Sequence, residues 1–383
     1  MAQTYDVIVI GAGGMGSAVA FELARRGRSV LALEQFPLVH SFGSSHGHTR
    51  IIRKAYYEHA DYVPLLHRAY ERWHDLEQRT GKHLLTQCGC LSLGTMQSDI
   101  VRGVLSAASQ HRLDVEYLDA ATLKSTYPQF TAPGDFVGVW ERSAGFLYVE
   151  DCVQAHLDAA IEFGADIHTE ETVLDWAADG DAVEVTTSAG TYSAAKLVIT
   201  AGAWLPELLK EVGHPFTVMR QVMWWIQPRE AADFRRDRFP IFLADTPAGT
   251  FYGHPMIDPR GVKLARHYGA EELAGPAEVN DTVVEEDEPP VRDFLAKYLP
   301  AVDGEVGESQ TCMYTLTPDR HFVLDVHPEH PNVSFAGGFS GHGFKFASVV
   351  GEIMADLADK AGTDLPIGMF NIARLLGERP AVE

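Results

Sequence analysis

At 383 residues the chain is long enough for one large domain or two moderate ones. Its composition, 46% hydrophobic and 22% charged, is that of a soluble globular protein with a core of ordinary size. A net charge of −22 argues against nucleic acid or an anionic membrane surface as a partner, and a small anionic substrate would need a local basic pocket against that field.

Residues 5–10, YDVIVI, read as a short apolar strand. Gly11-Ala12-Gly13-Gly14-Met15-Gly16 follows, with G-x-G-x-x-G at Gly11, Gly13 and Gly16. Residues 17–26 have helical composition, Met15, Val19 and Leu23 share one stripe, and Gly27 stops the helix. A second apolar run, 29–33, ends in Glu34. Strand, glycine turn, helix and an acid about 20 residues on form the context in which this motif binds a dinucleotide. Gly11 permits the tight turn, Gly13 lets backbone approach a pyrophosphate, and Gly16 lets the helix lie close to the sheet. The helix start offers free N–H groups and the positive end of its dipole to phosphates. Glu34 can accept from both ribose hydroxyls. The motif alone leaves FAD and NAD open. No secretory leader precedes this unit and no run of about 18 apolar residues follows, so a cytoplasmic location is expected. The four cysteines, Cys88, Cys90, Cys152 and Cys312, suit a reducing compartment.

A polar loop, 35–48, is rich in Gly, Ser and His, and a helix is expected over 62–80. Arg50 and Arg53 would share a face on a helical turn, either as solvated surface groups or as a pair beside the cofactor unit. Residues 84–93 read as one strand containing Cys88-x-Cys90, and with no second Cys or His pair at zinc spacing these are structural thiols. Residues 111–127 give a strand and a helix start. A helix over 151–163, with Cys152 in its core, follows 146–149. Residues 166–192 alternate as in a strand meander. The run 196–200 then ends at Ala201-Gly202 before a helix to about 212, so the chain returns to the cofactor sheet.

From 216 to 311 the character changes. Strand-like runs lie at 218–226, 239–243, 250–252 and 262–267, with a helix at 290–297. Asp258-Pro259-Arg260-Gly261 is a turn signal that makes 251–256 and 262–267 the arms of a hairpin. Lys263 and His267 then point to one face, toward a pocket or toward solvent. Cys312 stands alone, and Tyr252 and Tyr314 could line a pocket or pack in the core. Short strands at 322–325 and 333–336 precede a glycine loop, 337–343. The helix beyond it carries a buried stripe of Phe346, Val349, Val350, Ile353, Met354 and Leu357. Lys345 sits at that helix start, where the dipole disfavours a cation, which hints at a nearby anion.

In order along nearly the whole chain, these stretches resemble the monomeric sarcosine oxidase family of flavoprotein amine oxidases, which also holds N-methyltryptophan oxidase and pipecolate oxidase. The carrying residues are Gly11 to Gly16 with Glu34; Ser45-His46-Gly47-His48-Thr49-Arg50-Ile51-Ile52-Arg53; Tyr252-Gly253 with Lys263 and His267; Cys312-Met313-Tyr314-Thr315; and Gly338-Phe339-Ser340-Gly341-His342-Gly343-Phe344-Lys345. The last two and T-R-I-I-R are specific; the glycine motif is not. The resemblance implies FAD joined covalently to Cys312 through the flavin 8α position. It implies that Arg53 and Lys345 bind the substrate carboxylate, with Tyr252 beside them. Two cations can hold a carboxylate inside an acidic protein. Lys263 resembles the family's oxygen-activating lysine, whose ammonium stabilises negative charge developing on oxygen. His267 resembles the residue that contacts the substrate amine. Arg50 and His46 match positions beside the flavin ring, and Tyr314 matches a pocket aromatic in the catalytic group. By the same resemblance the cofactor site takes in Gly11, Gly13, Gly14, Met15, Gly16, Glu34, Ser44, His46, Thr49, Arg50, Ala201, Gly202, Cys312, Gly341, Gly343, Phe344 and Lys345. Arg266, His48, His254 and the bulky Met223-Trp224-Trp225 depart from the family pattern and bear on side-chain specificity.

The expected fold is α/β with an α+β second unit: a Rossmann-type FAD-binding domain (1–86, 145–214 and 310–383) and a mainly antiparallel substrate domain (87–144 and 215–309). The expected activity is an FAD-dependent oxidase of N-methyl or secondary amino acids. It takes the amine to an imine, which hydrolyses to aldehyde and primary amine, and reduces O2 to hydrogen peroxide. Sarcosine leads as substrate, with N-methyltryptophan and cyclic imino acids such as pipecolate open. The alternative is a flavin amine dehydrogenase with another acceptor. A monomer is expected, with no metal, nucleic acid or membrane partner.

Overall fold

Successive side chains of a strand point to opposite faces. In Thr4–Ile10, Val7 and Val9 enter one apolar cluster and Ile8 and Ile10 another. A strand buried on both faces suits a parallel sheet. It pairs in parallel with Val30–Leu33 on one side and Thr191–Ile199 on the other. The computed structural model describes residues 4–209, 212 and 216–376. Among these, the first sheet has eight strands. Thr191–Ile199 divides its outer edge: its first half pairs antiparallel with Ala182–Thr187, and its end pairs parallel with Val333–Gly337. The helix Gly14–Arg25 is buried on nearly all sides because it packs against both Val149–Glu162 and Ala347–Lys360.

A second sheet of nine strands is antiparallel except where Ile241–Thr246 meets Cys90–Thr95. One face packs on the helix Pro289–Tyr298: Val291, Phe294 and Leu295 meet Phe242, Phe251 and Leu264, with Phe251 and Phe294 stacked at 4.3 Å. Val262 and Leu264 belong to this core, so Lys263 and Ala265 face the other way. The expected hairpin is present as Gly249–His254 and Val262–Arg266, in register from Phe251 opposite Arg266 to His254 opposite Lys263. A small third sheet joins Thr49–Ile52, Gly145–Tyr148 and Leu85–Gln87. The α/β class with an antiparallel second unit is thus as expected.

Several details differ from the sequence reading. Arg50 lies in the strand Thr49–Ile52 and Arg53 just beyond it, so the two do not share a helical turn. The β-branched pair Ile51-Ile52 favours the strand. The single strand expected over 84–93 is two, Leu85–Gln87 and Cys90–Thr95, in different sheets. The chain breaks at Gly89, whose φ is +78° and whose Cβ would lie 1.7 Å from the Trp140 ring. The helix expected to about 212 is a 3-10 turn, Gly202–Trp204, and one helical turn, Leu205–Leu208; residues 210 and 211 lie outside the described residues. An 11-residue strand, Val306–Leu316, was not anticipated. It pairs with Thr217–Ile226 in the second sheet, so the expected boundary between 309 and 310 cuts a strand of the antiparallel unit.

Candidate active site

A cavity of about 260 Å³ runs between the two sheets' units, from the glycine turn at one end to Arg53, Lys345, Tyr252, His267 and Tyr314 at the other. At the first end Gly11 has φ +86°, and a Cβ on Gly16 would sit 1.7 Å from the Gly11 carbonyl, so helix and strand meet at the closest approach backbone allows. Gly13 supplies no side-chain cap, which leaves the helix start to the cavity that Gly13, Gly14 and Met15 line. The Gly14 N–H meets Ser45 Oγ at 3.2 Å. Glu34 is buried, and its carboxylate accepts from the N–H groups of Ala12 (3.0 Å) and Phe36 (3.1 Å). Ala201, Gly202, Gly341, Gly343 and Phe344 line the same cavity.

The middle of the cavity is braced from the second sheet. Ser44 Oγ donates to the Met313 carbonyl at 2.6 Å. Arg50 Nη2 donates to Cys312 Sγ at 3.4 Å and to the Ser44 carbonyl at 3.0 Å. Burial would raise the Cys312 thiol, but Arg50 first and then His46 outweigh it and hold the thiol at about 7. His46 is buried, its Nδ1 lies 3.4 Å from Gln310 Oε1, and its Nε2 has no hydrogen-bond partner among the described residues. Lys263 is 2% exposed and donates to the carbonyls of Gly47 (2.6 Å) and Thr49 (2.8 Å). Burial, reinforced by Arg50, pulls its ammonium well below the usual lysine range. Thr49, His46, Cys312 and Lys263 stand outside the cavity lining; Cys312 touches Arg50 and Ser44, which line it. The loop before them is pinned by Glu150, which accepts the N–H groups of Gly47 (2.8 Å) and His48 (3.1 Å).

The far end concentrates charge. Arg53 is buried between the rings of Tyr56 (4.3 Å) and Tyr57 (4.8 Å). Its Nη2 holds both carboxylate oxygens of Glu58, at 2.8 and 2.7 Å. Burial acts against the Glu58 carboxylate, yet Arg53, with His342 and Lys345, holds it at about 2. Burial and Arg53 bring Lys345 down to about 7, and its Nζ donates to the His342 carbonyl at 2.5 Å. Burial brings His267 down to about 3, so its ring is neutral; its Nδ1 lies 3.4 Å from the Tyr314 hydroxyl. Tyr252 stands edge-on to His267 at 6.0 Å. The structure therefore brings Arg53, Lys345, His267, Tyr252 and Tyr314 to one end. Sequence reasoning missed Glu58 and Glu150. An acid five residues after Arg53 in an aromatic run was the one signal for the first.

The sequence profile of the FAD dependent oxidoreductase family matches residues 6–357. The chain belongs to this family. Monomeric sarcosine oxidase of Streptomyces avermitilis is 44% identical over 380 residues, covering 98% of this chain and 99% of that protein. N-methyl-L-tryptophan oxidase of Yersinia pestis is 36% identical over 375 residues, covering 97% and 99%. Among solved structures, NikD, an amino acid oxidase essential for nikkomycin biosynthesis, superposes with a TM-score of 0.86 at 26% identity, covering 96% of this chain and 97% of that one. The cavity fits the family's dinucleotide cofactor, FAD, on two observations at its glycine end: a helix start whose N-cap, Gly13, brings no side chain and has open space where a Cβ would stand, and the buried carboxylate of Glu34 beside it. Among the described residues no helix is long and apolar enough to cross a membrane, and no group of three or more His, Cys, Asp or Glu is placed to hold a metal.

Proposed function

We propose that the chain is an FAD-dependent oxidase of N-methyl or secondary amino acids, with sarcosine as the leading substrate and hydrogen peroxide as a product. The observation that carries this is the pairing of Arg53 and Lys345 at the buried end of a dinucleotide cavity, in a protein of net charge −22. FAD, when bound, would supply the oxidant: it takes the hydrogen and two electrons of the substrate C–H bond next to nitrogen, the amine loses a proton, and the C–N bond becomes double. The protein's part is to bind, orient and tune charge. Arg53 and Lys345 hold the substrate carboxylate, and a carboxylate beside Lys345 favours its charged form. His267, neutral through burial, can hydrogen-bond the amine without repelling it. Tyr252 and Tyr314 wall the pocket. Lys263, whose ammonium burial disfavours until negative charge develops beside it, supplies the cation where oxygen is reduced, and Arg50 with His46 keeps Cys312 reactive enough to bond the flavin. Gly11, Gly13, Gly14, Met15, Gly16 and Glu34 hold the ADP end; Ser44, Ala201, Gly202, Gly341, Gly343 and Phe344 complete the cradle, and Thr49, outside the lining, serves it through its carbonyl's hold on Lys263.

In this reading the cofactor domain is 1–86, 145–214 and the chain after the strand Val306–Leu316, and the rest faces the substrate. The protein works as a monomer in the cytoplasm, consistent with four free thiols. A peroxide-coupled screen of sarcosine, N-methyltryptophan, pipecolate and proline under air tests the activity. Peroxide in step with substrate loss is expected. Turnover without peroxide would make the chain a dehydrogenase instead. Acid-precipitated protein should stay yellow; colourless protein would remove the Cys312 bond.

A further inference from the structure

The Lys345 ammonium ends a buried chain of groups that the roles above leave unused. Its Nζ donates to the Tyr56 hydroxyl at 3.3 Å as well as to the His342 carbonyl at 2.5 Å. The Tyr56 hydroxyl lies 2.7 Å from His342 Nδ1, and His342 Nε2 lies 2.9 Å from the Arg320 carbonyl. Chemistry sets the direction of each bond. A carbonyl only accepts, so Nε2 carries the proton. A neutral ring protonated there has a bare Nδ1, so the Tyr56 hydroxyl, which also lies 3.1 Å from the His342 carbonyl, donates to that nitrogen across the shorter distance of 2.7 Å. The Tyr56 oxygen is then free to accept from Lys345. Every bond points the same way, from Lys345 through Tyr56 and His342 to Arg320.

Two features hold this arrangement. The ring is boxed by Phe322 at 4.8 Å, Tyr56 at 5.8 Å and Tyr62 at 5.9 Å, so it cannot turn over to exchange its nitrogens without moving them. It also stays neutral, because burial, with Lys345 and Arg53 acting against Glu58, holds it at about 4.

We propose that His342 is a positioning residue for Lys345. Through its ring and Tyr56, and again through its own carbonyl, it anchors two of the three ammonium N–H groups and leaves the third to the substrate carboxylate. This rests on Lys345 as a carboxylate ligand. A lysine is a point charge on a flexible stem, and anchoring it beforehand removes part of the ordering cost of binding.

Holoenzyme labelled with 15N at histidine gives the direct readout. His342 should keep its proton on Nε2 from about pH 6 to about pH 9. Tyr56→Phe should keep that tautomer and shift the Nδ1 resonance alone. His342→Phe and Tyr56→Phe should each raise KM for sarcosine about tenfold with kcat within about twofold. The double variant should do no more than either single change, since both cut one chain. A ring protonated on Nδ1, additive effects on KM, or unchanged KM would overturn the proposal. If Lys345→Met leaves KM unaltered, it is the carboxylate role that has failed, and the tautomer still reports on the chain by itself. Should His342→Phe fail to fold, Tyr56→Phe, which removes one oxygen, carries the kinetic comparison.

Discussion

Replacing Arg50 with methionine should move the Cys312 thiol from about 7 to above its ordinary value of 9. Two other cysteines show where burial takes a thiol in this fold when no arginine outweighs it. Cys88 is pushed up to about 11, and Cys152 is raised further by burial. Cys312 is as deeply placed, and Arg50 is the first neighbour opposing that rise. With Arg50 gone, His46 and Lys263 remain, so the thiol should settle between these limits. At pH 7 the thiolate fraction falls from about one half to about 1%, on the order of 50-fold. The assay is the rate of iodoacetamide alkylation at Cys312 in protein made without flavin, followed by mass spectrometry across pH. Cys90 and Cys152, both buried, serve as unreactive controls. The parent should show a midpoint near 7, and Arg50→Met one above 9. Equal midpoints, or a parent midpoint at 9, would refute the charge argument.

Three further outcomes follow from the same geometry. Glu58→Gln removes the charge that occupies Arg53, so KM for sarcosine should fall by about threefold or more, while loss of one partner of a buried pair costs about 3 kcal/mol by thermal denaturation; a raised KM would mean that Glu58 helps to bind substrate. Lys345 titrates at about 7 and is charged below that value, so a carboxylate inhibitor without an amine, such as methoxyacetate, should bind up to tenfold more weakly per pH unit above it, and Lys345→Met should flatten the profile. Lys263→Met should slow reoxidation of the reduced enzyme by about 100-fold or more in stopped flow while leaving anaerobic reduction near the parent rate; an equal oxygen rate would remove its assigned role.

What could be read from the sequence was local. Gly11 to Glu34 carries its turn, helix and acid within one βαβ span, so spacing alone located them. The hairpin bearing Lys263 was legible because Asp258-Pro259-Arg260-Gly261 marks its turn, where Arg260 N–H meets Asp258 Oδ1 at 2.9 Å. Val306–Leu316 was not legible. Polar residues stand on both of its faces through most of its length, and its extended form comes from pairing with Thr217–Ile226. Glu58 was missed for a related reason. Its partner is chosen by a bend after Ile52 that folds the chain back on Arg53, and such a contact leaves no periodic trace.

The membership of Val306–Leu316 in the antiparallel sheet has a mechanical consequence. The two halves of the chain have separate apolar cores, one on each face of the parallel strands and another under the helix Pro289–Tyr298. A flavin bonded to Cys312 would be fastened to the antiparallel sheet while its ADP end rests on the strand and helix of the parallel unit. The cofactor would then be a rivet through both halves as well as the redox centre. Calorimetry should register it: the flavin-loaded chain melting as one unit, and the flavin-free chain parting into two transitions, each belonging to its own half.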